Sequence, residues 1–270
     1  MEIPPYSKWV PKFPWAYSFF ILSSIRNEIK IRFARSRFGG IWLILNPLAQ
    51  VAIFAFILSA VLSAKLPGID NRYAYAIYLT AGILAWNLFT EIVNRCLTLF
   101  IDNANLMKKV AFPRIVLPLI VMGSAIFNNF LLFMAILFIF AFLGHMPTLY
   151  ILWLPFLMVL TVLFATGTGL ILGILNVFIR DLNQVVPIAL QLLFWFTPIV
   201  YPAEIIPEKL QPWLHFNPLF TITEAYHSIL VYQRAPQTGG ILLLCIFTCL
   251  TLVAALFLFR KASREMVDVL

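Results

Sequence analysis

Charged side chains are scarce in this sequence. Asp, Glu, Lys and Arg supply 11% of the 270 residues, against roughly 25% in a soluble globular domain. Hydrophobic residues reach 62% and the mean hydropathy is +0.95. Apolar runs recur from about residue 41 to residue 260, and no soluble block between them is large enough to fold alone. A soluble protein is excluded, and the chain reads as one all-α polytopic membrane domain.

Other absences exclude chemistry. Cys96, Cys245 and Cys249 are the only cysteines. Each lies inside an apolar run, without the spacing of a disulfide framework or a thiolate metal site, and reads as a small packing residue. The three histidines, His145, His215 and His227, stand singly and form no HExxH, so no metal site is expected. Glu204, Glu208 and Glu224 share one segment, but nothing pairs them with a nucleophile or base. A membrane glycan or phospholipid transferase using one or two carboxylates stays open as a minor alternative. No GxxxxGK[ST] phosphate loop occurs, so the chain is expected to hold no cofactor, with ATP and Mg bound by a partner. The intramembrane charges form no proton or sodium relay and the hydropathy shows no duplicated halves. An ATP-independent carrier or channel is therefore the rival to a permease driven by a separate ATPase. No cleavable leader is expected, because Pro4, Pro5, Pro11 and Pro14 interrupt the first 40 residues.

What charge there is has a position. The net charge of +8 could suggest nucleic acid, but seven of the 19 Lys and Arg precede the first apolar run, as expected at a cytoplasmic membrane face. Residues 1–40 read as a cytoplasmic segment holding an amphipathic interface helix. At ~100° per residue Leu22, Ile25, Ile29 and Phe33 share an arc of about 80°, while Glu28, Arg32 and Arg35 point elsewhere. A permease domain follows over 41–260, with spans at about 41–64, 73–100, 115–143, 150–178, 185–201 and 240–259. Within it, 202–239 is an external, gate-like segment whose prolines 202, 207, 212 and 218 break it into short helices. Residues 261–270 form a cytoplasmic tail. With both termini inside, 15 of the 19 basic residues are cytoplasmic, the orientation the positive-inside rule favours.

Polar residues interrupt the spans. Asn46, Pro47 and Gln50 mark a face of span 1 that lines the interior, since a helix-breaking proline is tolerated in lipid only where protein or water covers the freed carbonyl. Glu91 and Arg95 stand one turn apart, either as a structural clip or as a gate contact. Ser124, Asn128 and Asn129 fall in span 3, where amides serve helix packing or touch substrate. Gly169 and Gly173 form a GxxxG, read as a helix-packing face.

Four stretches taken in order carry a family resemblance: RNEIKIRFARSRFGGIWLILNPLAQ (Arg26 to Gln50), NANLMKKVAFPRIVLPL beginning at Asn103, VFIRDLNQVVP (Val177 to Pro187) and FWFTPIVYP (Phe194 to Pro202). Together they resemble the type-2 ABC exporter permeases of lipid-linked O-antigen and teichoic acid, and less closely the capsular polysaccharide permeases. The resemblance covers nearly the whole chain. It implies a homodimer of six-span subunits in the bacterial cytoplasmic (inner) membrane, joined to two ATP-binding cassette subunits. It also implies transport of a glycan on an undecaprenyl-pyrophosphate-type lipid through a channel between the two copies. The match at Asn103 to Pro113 implies a coupling helix in a cleft of the ATPase, with Asn105, Leu106, Met107, Lys108, Lys109, Phe112 and Pro113 in the contact, and Arg180 and Asp181 in a second one.

Two further roles come from side-chain chemistry. Arg32, Arg35 and Arg37 stand before the Gly39–Gly40 entrance to span 1, where guanidinium forks suit a lipid pyrophosphate; topology and interface anchoring is the alternative. Trp42, Trp86, Phe89, Phe194, Trp195 and Tyr201 could form a channel surface on which sugars slide; a lipid-facing or interface belt is the alternative for these rings.

Overall fold

A computed structural model describes residues 17–34, 41–55, 74–109, 113–142, 144–209, 211–214, 216–262 and 265–269. Among them every regular element is helical: α1 (Ser18–Ala34), α2 (Ile41–Ala55), α3 (Ala74–Asp102), α4 (Ala104–Lys109), α5 (Val116–Phe142), α6 (Leu154–Phe178), α7 (Leu182–Phe196), α8 (Gln211–Leu214), α9 (Pro218–Leu230), α10 (Thr238–Ala262) and α11 (Glu265–Val269). Short 3-10 turns at Leu149–Trp153 and Ala203–Ile205 complete them.

Among the described residues, four segments are long and apolar enough to cross a membrane: α3, α5, the 30 residues Leu149–Phe178 that join the first 3-10 turn to α6, and α10. The chain is thus an all-helical multi-pass membrane protein. The other two expected spans are shorter where described. Helices α2 and α7 have 15 residues each, about 22 Å at 1.5 Å per residue, short of the ~30 Å hydrocarbon core. Residues 56–64 of the first expected span lie outside the described residues. Helix α7 begins three residues earlier than the span expected at 185–201, and its last turn ends at Phe196, ahead of Pro198.

Helix α3 is the centre of the bundle. It packs against α2, α5, α6, α7 and α9, and 78% of its most apolar window is buried, against 22% for α10. The difference assigns α10 to the periphery, where Leu242, Ile246, Leu250, Val253 and Phe257 make an exposed stripe at helical spacing. Closest approach in the bundle is set by glycine. A Cβ on Gly169 would sit 2.7 Å from the Cys96 Cβ, and one on Gly173 would collide with the Cys96 carbonyl oxygen. Those two glycines seat α6 on α3, with Cys96 fully buried between them. Gly167, on another face of α6, meets Thr251 of α10 in the same way, at 2.8 Å.

The helix ends follow local chemistry. Gly144, at φ +73°, closes α5; its N–H donates to Ala141 and the His145 N–H reaches back to Phe140, the paired pattern of a left-handed helix stop. Asn217 caps α9 by accepting from the Leu219 N–H at 3.0 Å, with Pro218 in the first turn. Its amide also donates to Thr197 Oγ1 at 3.0 Å, tying α9 to the end of α7.

Helix α9 lies deeper than short helices resting on the outer surface would. Eleven of its 13 residues are buried, and Gly82 of α3 lets it approach, since a Cβ there would meet His227 Nε2 at 2.9 Å. The His227 ring stacks on Tyr78 at 3.7 Å and donates Nε2–H to the Tyr78 carbonyl at 3.1 Å. Burial pushes its pKa down to about 3, so it is neutral.

Gly173→Ala must push α3 and α6 apart, and is expected to cost about 1–3 kcal/mol, the range for an overpacked core. Gly239→Ala, where an added Cβ meets nothing within 4 Å, is the matched control. Thermal unfolding of the two variants in detergent checks this; equal midpoints would contradict the packing.

Candidate functional site

The polar residues of α3 lie along one strip. Asn87, Glu91 and Asn94 recur at i, i+4 and i+7, so they line one face of an otherwise apolar helix. Helices α2, α5 and α7 flank that face and enclose two adjoining cavities that share Thr90 and Asn94. One, of about 280 Å³, lies among α2, α3 and α5 and is lined by Trp42, Asn46, Pro47 and the strip residues. The other, of about 390 Å³, lies among α2, α3 and α7 and is lined by Gln50, Trp86, Pro187, Gln191, Phe194 and Trp195. Each cavity has a helix-interior proline in its wall, Pro47 of α2 or Pro187 of α7. Each proline frees a carbonyl one turn back, and a polar cavity is the place where such a group is tolerated in a membrane.

The strip is fastened by a charged knot. Arg95 is the hub: its Nη2 lies 2.7 Å from Glu28 Oε1 and donates to Glu28 Oε2 at 2.8 Å, while its Nη1 lies 3.5 Å from Glu91 Oε1. Ser124 Oγ donates to Glu28 at 2.8 Å and Asn128 Nδ2 to Glu91 at 2.6 Å. Glu91 and Arg95 thus meet as their spacing suggests, but the closer partner of the guanidinium is Glu28 of α1. Helix α1 does not place Glu28 away from the apolar face. Ile25, Glu28 and Ile29 turn toward the bundle, and Leu22 is 67% exposed. Ile25 packs directly on Gly123 of α5, where an added Cβ would displace the end of its side chain. The physical reason is that the pairing available on α3 and α5 outweighs the hydropathy of one helix considered alone.

The six aromatics divide. Trp86, Phe194 and Trp195 come together at the second cavity, with ring centroids 5.5 Å apart for both Trp86–Phe194 and Phe194–Trp195. Trp42 lines the first cavity and is half exposed. Phe89 turns into the core and stacks on Phe164 at 5.6 Å. Tyr201 lies past the end of α7 and lines neither cavity; its hydroxyl donates to the Trp195 carbonyl at 2.6 Å, and burial pushes its phenol pKa up.

The expected coupling segment divides too. In α4, Met107 is buried and Leu106 packs against the core, whereas Asn105 and Lys108 are exposed. Helix α11 folds back to touch both α4 and α6, with Met266 fully buried, so the last residues brace α4. Arg180 and Asp181 are exposed in the tight turn between α6 and α7. Pro113 is half-buried, and burial pulls the neighbouring Arg114 below its ordinary range. Phe112, Arg35 and Arg37 lie outside the described residues, as do the side chains of Arg32 and Lys109.

Sequence reasoning missed Glu28, Asn87, Asn94 and the α11 brace. The first three left a signal. Glu28 is a lone carboxylate in a segment otherwise carrying Arg26, Lys30, Arg32, Arg35 and Arg37, and the two asparagines share the helical spacing of Glu91.

Residues 20–231 match the family model described as ABC-2 type transporter. The chain is 31% identical over 264 residues to an O-antigen export system permease protein RfbA of Klebsiella pneumoniae, covering 96% of this chain and 98% of that protein. It is 25% identical over 256 residues to the protein of the same name from Myxococcus xanthus, covering 94% and 96%. It is 26% identical over 245 residues to the polysialic acid transport protein KpsM of Escherichia coli, covering 89% and 92%.

Glu28→Gln keeps the shape but removes the charge, and is expected to weaken the docking of α1 by about 1.5–3 kcal/mol, the scale of a hydrogen bond to a charged group. Amide hydrogen exchange in α1 should accelerate tenfold or more while the centre of α3 stays protected; unchanged exchange in α1 would contradict the knot.

Proposed function

This chain is a membrane permease of the ABC-2 type transporter family, and on that premise we propose that it carries a polysaccharide across the bacterial inner membrane while a separate ATP-binding cassette partner hydrolyses ATP. The observation that carries the reading is end-to-end similarity to permeases named for O-antigen export and polysialic acid transport. The amide- and aromatic-lined groove over α3 supports it, because a surface of that composition inside a membrane bundle suits a hydroxyl-rich polymer.

In this reading α2 and α7 complete six crossings, with both termini cytoplasmic, α1 lying along the inner interface and α8 and α9 forming an outer gate-like segment. Two copies face each other across the groove, on which Trp42 and Trp195 stand exposed. The polymer travels on an undecaprenyl-pyrophosphate-type lipid whose pyrophosphate is met by Arg32, Arg35 and Arg37. Two ATPase subunits grip α4 and the Arg180–Asp181 turn. The burial of Met107 and Leu106 supports a division of roles within α4 in which they anchor it and Asn105 and Lys108 meet the partner.

Coexpression with the ATPase encoded in the same cell tests this. Lys108→Glu combined with Asn105→Ala is expected to lower recovery of the complex and ATP-driven export at least tenfold with an unchanged unfolding midpoint. Met107→Ala should instead destabilise the chain by about 2–5 kcal/mol, the cost of truncating a buried side chain. Full export by the double variant would move the grip elsewhere, and export without any ATPase would remove the reading.

A further inference from the structure

Among the described residues, the lining of the α3 groove is rich in amides and holds no lysine or arginine. Asn46, Asn87, Asn94, Asn128 and Asn129 line the first cavity together with Glu91, which Asn128 contacts, and Gln50 and Gln191 extend the same chemistry into the second. A side-chain amide offers an acceptor and two donors in one plane, the complement of two neighbouring hydroxyls on a sugar ring. Trp42 at one end and Trp86 and Trp195 at the other supply flat apolar faces for the ring itself. The two volumes, 280 and 390 Å³, together fall within the roughly 300–1,000 Å³ of small-molecule sites.

Asn129 adds an unsatisfied acceptor to the residues of this wall. The residue is 3% exposed and lines the first cavity, and its Nδ2 donates to the Leu84 carbonyl at 3.0 Å. Its Oδ1 is buried and meets no donor among the described residues. A buried acceptor left alone carries its whole desolvation penalty, which a ligand hydroxyl would relieve.

The charge of the lining decides which sugar. A carboxylate or phosphate on the ring would come against Glu91, whereas the guanidinium one turn along, Arg95, lines neither cavity and lies against Glu28 and Glu91. Burying an unpaired anion there is heavily disfavoured. We propose that this groove is a subsite for neutral sugar units, read through vicinal hydroxyls by Asn87, Glu91, Asn94 and Asn129, and that it discriminates against acidic sugars. The proposal rests on the permease reading and adds the charge class of its polymer.

Saturation-transfer NMR on the full chain in lipid nanodiscs tests it. The probes are neutral tetrasaccharides of glucose, galactose and mannose, with a sialic acid trimer as the acidic probe. At least one neutral probe should bind saturably, tenfold or more tighter than the sialic acid trimer. Asn87→Leu with Asn94→Leu should weaken that binding at least tenfold at an unchanged unfolding midpoint. If the double variant does not fold, Asn94→Ala alone, at an exposed position, should weaken it at least threefold. Failure of every neutral probe to bind, an equal or tighter acidic probe, or wild-type affinity in the variants would overturn the subsite. ATP-driven export measured alongside separates the two readings. Export that continues in a chain binding no neutral probe overturns the subsite and leaves the permease standing. Asparagine-dependent neutral binding by a chain that exports nothing supports the subsite and removes the permease.

Discussion

The close approach of α6 to α3, with Gly169 and Gly173 seated on Cys96, is the constraint on which the other contacts depend. In lipid there is no hydrophobic gain in pressing one apolar helix on another, so tight packing and polar contacts must hold a bundle together. Gly169 and Gly173 on one face of α6 and Gly167 on another make α6 a thin spacer between α3 and α10. With that side of α3 sealed, the strip carrying Asn87, Glu91 and Asn94 is left facing α2, α5 and α7. The placement of the groove is therefore a consequence of where the small residues are.

A second consequence concerns α1. An ionised side chain inside a membrane bundle must be paired, and Arg95 is paired with carboxylates from two helices. One of them, Glu28, fastens α1 to α3 and, through Ser124, to α5. Helix α1 is therefore fastened to the bundle along one half-buried face. Movement of α1 would be felt at Glu91, which lines the groove, through a single guanidinium. The α11 brace ties the far end of the chain to α4 and α6.

Much of this was legible in the residues. Long apolar runs foretold α3, α5, α6 and α10 within a few residues, because length and hydropathy are what a bilayer selects. The GxxxG of α6 and the Glu91–Arg95 spacing pointed to contacts the structure makes, and Asn46, Pro47 and Gln50 of span 1 line the two cavities. Three placements could not be derived from the residues alone, each because it depends on a distant partner. Glu28 reads as a solvent-facing charge until Arg95 and Ser124 stand opposite it. The depth of α9 depends on Gly82 and on the Tyr78–His227 stack, 149 residues apart in the chain. Phe89 reads like Trp86 by composition, and only the position of Phe164 sends it into the core.

In the proposed function this chain forms the path and a separate ATPase supplies the work. Its most direct test is flux in proteoliposomes holding the chain and its cognate ATPase, with a lipid-linked glycan supplied on the ATPase side. The account predicts that glycan reaches the opposite side only when both chains and hydrolysable ATP are present. Equal movement without the ATPase, or with a non-hydrolysable nucleotide, would contradict it.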